Sequence, residues 1–170
     1  MEFNEVIQNR YSCKKFNGVQ VEASILNQIL EAGRVAPTAK NNQEQHIYVV
    51  QSEENLKKID ACTPCRYGAP TVLVVAYDTT NVFVYPGEKV NSGVEDATIV
   101  ATHIILASQN LGVNSCWLNF FDPAKVKQEL NLPENEEVVM LMDLGYADAA
   151  GKALANHFSR KELDQQVTYL

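Results

Sequence analysis

The apolar positions of the chain alternate between helical spacing and short uninterrupted runs, and that alternation sets the elements it predicts. Phe3, Val6 and Ile7 fall on one face of a short opening helix. Ile25, Leu26, Ile29, Leu30 and Gly33 form one stripe of a second helix, over about 23–35. Pro37 and the polar run Thr38-Ala39-Lys40-Asn41-Asn42-Gln43 break that pattern and predict a loop, after which His46 to Val50 reads as a strand. Ser52 is an N-cap for a helix over 53–61. Pro70 leads the run Val72 to Tyr77, which has the continuous apolar character of a strand buried on both faces. Residues 78–92 are irregular and carry Pro86-Gly87.

The longest helix is predicted over about 94–111. Its stripe of Val94, Ala97, Val100, Ala101, Ile104, Ile105, Ala107 and Leu111 is wide enough to pack on more than one side, and Gly112 suits the position just past its end. Val113 to Leu118 is a strand. Asp122 with Pro123 opens a helix that ends near Leu130, and Val138 to Tyr146 is the last strand. Beyond Gly151 the periodicity is weak. About four strands interleaved with five helices predict an α+β or α/β arrangement. No repeat, low-complexity stretch or linker divides the chain, and 170 residues suit one domain over 1–170.

Composition narrows the function. A hydrophobic fraction of 46% with 21% charged residues is that of a folded globular chain. The net charge of −7 argues against nucleic acid as the main partner, because duplex binding needs a basic surface. No apolar run approaches the roughly 20 residues that span a bilayer. Met1 to Glu5 lacks the basic and apolar regions of a signal peptide, so a cytoplasmic location is expected.

Two clusters could carry chemistry. Arg10-Tyr11-Ser12-Cys13-Lys14-Lys15-Phe16 offers a guanidinium fork, a hydroxyl and two ammonium groups, the set that a phosphate monoester needs. Taken alone it reads first as a basic solvated loop. Pro37 to Gln43 offers amide donors and acceptors suited to the alternating edge of a heterocycle, though taken alone it reads first as a polar helix-to-strand turn.

Together, their order and spacing resemble the nitroreductase family of FMN-dependent oxidoreductases. That family opens approximately R-R-S-x-R-x-F, which stands here at Arg10 to Phe16, and continues approximately A-P-S-x-x-N-x-Q-P-W, which stands here at Ala36 to Gln45. Ala69-Pro70 before a hydrophobic strand and Asp96 near the start of the long helix extend the likeness. So do Leu111 to Leu118, similar to L-G-x-x-S-x-W-I, and Ser159-Arg160-Lys161-Glu162-Leu163, similar to an R-K-P-L-E tail. The chain departs from the pattern at Glu44-Gln45, where the family has Pro-Trp, and at Asn119-Phe120-Phe121, where it often has Gly-Gly-Phe. It also lacks room between Tyr77 and Gly93 for the insertion with which many members build a substrate lid.

The resemblance implies an α+β nitroreductase-like fold, with a mostly antiparallel central sheet of about four to five strands flanked by helices. It implies a homodimer with flavin at the subunit interface, and FMN as cofactor with NADH or NADPH as electron donor. Arg10 and Arg160, supported by Lys14, would hold the phosphate. Tyr11 and Ser12 would meet the phosphate or ribityl chain, while Pro37, Thr38, Ala39, Asn41 and Gln43 would line the ring. Leu118 and Asn119 would present backbone to it. The implied reaction is ping-pong reduction of nitroaromatic, quinone or similar small electrophiles, with no protein general acid or base and no metal. Two other readings stand beside it. One is a flavin-binding or storage protein on the same fold; the other is a thiol-redox or metal protein acting through Cys62 and Cys65, whose C-x-x-C spacing follows a helix instead of opening one. His103 reads as a packing residue, and Glu134 to Glu137 as a solvated turn.

Overall fold

The computed structural model describes residues 1–170. The elements follow the order α1 (Phe3–Asn9), α2 (Ala23–Arg34), β1 (Gln45–Val50), α3 (Glu53–Cys62), β2 (Thr71–Asp78), α4 (Gly93–Asn110), β3 (Asn114–Leu118), α5 (Pro123–Leu130) and β4 (Glu136–Gly145). The four strands form one sheet in the order β1-β2-β4-β3, antiparallel throughout. The sequence-based expectation of an α+β fold around a mostly antiparallel sheet is met.

The helix ends are set by local chemistry. Ser52 accepts a hydrogen bond from the Asn55 N–H at the start of α3, and Asp122 accepts from the Ala124 N–H ahead of α5. Gly112 takes the left-handed conformation (φ 74°) that stops α4.

Strand β2 runs through the centre, and its period-two alternation divides the core. Leu73 and Val75 pack toward α2 and α4 with Ile29, Val100, Ile104, Met140 and Met142. Val72 and Val74 face the opposite layer, with Ile59, Val126 and Leu141. Each fully buried aliphatic side chain contributes about 1.5–3 kcal/mol of transfer free energy, so this doubly covered strand is the main hydrophobic support of the fold.

Two expectations change. On α1 only Val6 is buried, while Phe3 and Ile7 stay exposed, Phe3 at the rim of a groove against α4. Residues 134–137, expected as a solvated turn, are partly strand: β4 begins at Glu136, which is buried and accepts hydrogen bonds from the Tyr48 hydroxyl (2.5 Å) and from His46 Nδ1 (2.6 Å). Its partners lie some ninety positions away, beyond the reach of local composition.

Gly93 opens α4 directly against the Tyr77 ring, where an added Cβ would lie 2.1 Å from an aromatic carbon. The ring cannot swing aside freely, because its hydroxyl donates to Glu137 Oε2 at 2.7 Å. Gly93→Ala is therefore expected to destabilise the protein by about 1–3 kcal/mol, the range for overpacking. Denaturant unfolding checks this; an unchanged midpoint would show that the ring is not held.

Candidate functional site

Residues 10–16 leave α1 extended and run along the edge of the sheet beside β3. Ser12 bridges Ser115 in parallel, the Cys13 N–H donates to the Ser115 carbonyl (2.9 Å), and the Phe16 N–H donates to the Tyr67 carbonyl (3.1 Å). Extended backbone sends alternate side chains to opposite sides. Cys13 is buried beneath, and Arg10, Ser12 and Lys14 all point into one cavity of about 360 Å³.

The far wall of that cavity comes from the other end of the chain: Leu154, Asn156, His157 and Arg160. Tyr11 brings it there. Its hydroxyl donates to the Gly151 carbonyl (2.8 Å), and its ring meets His157 edge-on at 6.5 Å. Lys15 adds an ion pair to Asp148 at 3.3 Å. Arg160 is braced by its own turn, donating to the carbonyls of His157 and Ser159.

No acid lines this cavity, and Arg10, Lys14 and Arg160 form no ion pair with any acid of the chain. Three unpaired cations converging in a molecule of net charge −7 make a local positive well shaped for an anion. Two guanidinium forks, one ammonium, a hydroxyl and an amide match the oxygens of a phosphate monoester.

The structure places the remaining candidate residues elsewhere. Tyr11 does not line the cavity; its hydroxyl is spent on docking the tail. Pro37, Thr38, Ala39, Asn41 and Gln43 form a separate surface loop, with Lys40, Asn41 and Gln43 all at positive φ. That strained path is held from behind: the Ala39 N–H donates to both Asp96 oxygens (3.0 and 3.1 Å), and the Gln43 N–H to Thr38 Oγ1 (3.1 Å). Asn42 and Asn81 exchange amide-to-carbonyl bonds at 2.9 Å. Leu118 is buried at the end of β3, and the Asn119 side chain accepts from Trp117 Nε1 at 2.8 Å. His103 is half-buried on α4 beside Phe3 and Leu106.

Behind the cradle lies a group that sequence reasoning passed over. Asp143, across the ladder from Cys116, is completely buried and neither carboxyl oxygen has a hydrogen-bond partner. Burial pushes its pKa up to about 9 against the opposing pull of Arg66, so it is neutral near pH 7. The only signal for it was a lone acid within an apolar run.

Burial also raises Cys13, Cys62 and Cys116, the last to about 12. These stay thiols instead of the thiolates that exchange chemistry needs. Cys62 meets the charges of α5 (Lys125, Glu129, Asp122), whereas Cys65 lies toward Tyr67, Cys116 and Asp143.

The description "Nitroreductase family" belongs to the family model that matches residues 7–63 and 64–146. A crystal structure of a nitroreductase family protein from Clostridium difficile 630 superposes with a TM-score of 0.93, at 30% identity over 99% of this chain and 98% of that one. An FMN-dependent nitroreductase from Clostridium difficile R20291 superposes with a TM-score of 0.79, at 25% identity over 98% of each chain. A protein of Archaeoglobus fulgidus, provisionally named an NADH dehydrogenase/NAD(P)H nitroreductase, is 28% identical over 84% of this chain and 83% of its own length.

Asp143 gives the site a pH signature. A carboxyl whose pKa is raised on folding adds stability at low pH and loses it as pH rises through the folded value, here about 9. The melting temperature is expected to fall between about pH 5 and about pH 9, and Asp143→Asn should flatten that fall. Thermal melts across this range check it; parallel curves for the two proteins would contradict the buried neutral acid.

Proposed function

The chain belongs to the nitroreductase family of oxidoreductases, and from that premise we propose that it binds FMN and oxidises NADH or NADPH at the expense of a small electrophilic acceptor such as a nitroaromatic or quinone. The observation that carries the reading is the acid-free cradle of Arg10, Ser12, Lys14 and Arg160, whose donor set fits the FMN phosphate. The FMN-dependent clostridial relative and the nicotinamide in the archaeal relative's name support the choice of cofactor and donor.

In this reading Arg10 and Arg160 grip the phosphate from opposite ends of the chain, Lys14 supplies a point charge, and Ser12 donates its hydroxyl. Tyr11 is a positioning residue, holding the tail that carries Arg160. FMN itself would supply the redox chemistry, taking hydride from the nicotinamide and passing electrons to the acceptor in alternating half-reactions. The chain offers that reaction binding and orientation, and no side chain is assigned as an acid or base.

The loop Pro37 to Gln43, with Leu118 and Asn119, would face the ring. Because that loop lines no part of the cradle in one chain, the reading calls for a homodimer in which a second copy supplies it. Unpaired apolar side chains support a partner: Phe3, Phe120, Phe158, Leu163 and Tyr169 are all more than half exposed. Residues 1–170 would act as one domain at a cytoplasmic location; no helix is long and apolar enough to cross a membrane.

The protein loaded with FMN and mixed anaerobically with NADH or NADPH tests the proposal. Loss of the visible flavin bands is expected with at least one nucleotide. A flavin that binds yet stays oxidised with both would contradict the enzyme and leave a flavin-binding protein. Arg10→Ala should weaken FMN binding by about 1.5–3 kcal/mol, roughly tenfold to a hundredfold. Equilibrium dialysis reads it, and an unchanged Kd would remove Arg10 from the phosphate site.

A further inference from the structure

Glu44 stands where the family motif turns to proline and follows directly on the loop Pro37 to Gln43. Asp96 lies in the first turn of α4. Both residues are 3% exposed. Glu44 Oε1 accepts from the Ser92 hydroxyl at 2.8 Å, while Oε2 is buried without a donor. Ser92 and Asp96 stand one turn apart at the start of α4, so the bond to Ser92 sets the Glu44 carboxyl beside Asp96, whose two oxygens accept the Ala39 N–H.

Two ionised carboxylates cannot sit in contact here, because neither forms an ion pair with any cation of the chain. Lys40, the basic residue of the loop, is instead stacked over the Phe83 ring at 4.8 Å. On the α4 side, Glu95 is bonded to the Tyr85 hydroxyl, and Tyr77 is bonded to Glu137 on β4. One proton between the acids resolves the contact. Both Asp96 oxygens already accept a donor whereas Glu44 Oε2 has none, which places the proton on Glu44 Oε2.

We infer that Glu44 and Asp96 share one proton, and that the chain Glu44–H to Asp96 to the Ala39 N–H is the positioning device for the loop Pro37 to Gln43. Glu44 is a positioning residue: it touches no ligand and acts through Asp96. The role of the loop toward a flavin ring rests on the proposed function; the shared proton does not. Burial first, and then the hydrogen bond to Asp96, raise the Glu44 pKa. The pair is therefore intact at low pH and loosens as pH rises past the ordinary carboxylate range, when the two charges repel and the loop loses its anchor.

The test is amide hydrogen exchange at Ala39 in the full chain without added flavin, corrected for intrinsic exchange, in wild type and in Glu44→Gln. Gln keeps a donor toward Asp96 and cannot ionise. Wild-type protection should fall by up to about tenfold for each pH unit between the ordinary glutamate range and the raised Glu44 value and level off above it, a fall that Glu44→Gln lacks. Asp143 titrates in the same direction but is present in both proteins, so it cancels from the comparison. Equal falls in the two proteins, or a level wild type, would overturn the inference. Should Glu44→Gln not fold, carbon NMR of the wild-type Glu44 carboxyl decides: a midpoint above the ordinary glutamate range is expected, and an ordinary midpoint overturns it. FMN affinity measured alongside should fall over the same pH range in wild type only. Absence of any FMN binding would defeat the proposed function and leave the exchange result standing.

Discussion

The hydrogen bonds of residues 12–16 to Ser115 and Tyr67 are the constraint on which the cradle depends. They force that segment to be extended, and an extended segment must alternate. Cys13 then goes into the core and fixes the register, so Arg10, Ser12 and Lys14 have one side left to face. The same alternation turns Tyr11 away from the cavity and toward the tail, where its bond to Gly151 brings Arg160 across. One short stretch of backbone thus orders five side chains and recruits a sixth from about 150 positions downstream.

Charge gives that arrangement its meaning. Most basic side chains that form ion pairs here do so on the surface, where each pair contributes little. Arg10, Lys14 and Arg160 are left together without acids, and a bound anion would relieve their mutual repulsion. Behind them Asp143 is neutral, so it does not cancel the positive field near pH 7. The loop Pro37 to Gln43 obeys a different economy: positive φ at three residues is strain, offset by the buried Asp96 anchor.

The elements were legible wherever their cause is local. The stripe of Ile25 to Gly33, the caps Ser52 and Asp122-Pro123, the stop at Gly112 and the continuous run of β2 are each written in neighbouring residues. Long-range polar pairing was not. Glu136 looked solvated because its partners His46 and Tyr48 are distant in sequence, and the tail-docking hydroxyl of Tyr11 carries no local mark. Asp143 and the Glu44–Asp96 pair show the same blindness, since burial of an acid is a property of the tertiary packing around it. Of the candidate site, the two ends of the chain meet in one cavity. The ring-side loop stays apart within one chain, a separation that residue patterns do not express.

Both ends of one chain are proposed to hold the phosphate of FMN. Calorimetric titration with FMN and with riboflavin, which lacks the phosphate, tests it most directly when run on wild type, Arg10→Ala and Arg160→Ala. Wild type is expected to prefer FMN by about a hundredfold or more, and either substitution to remove most of the preference while leaving riboflavin binding unchanged. Equal affinity of wild type for the two flavins would contradict it.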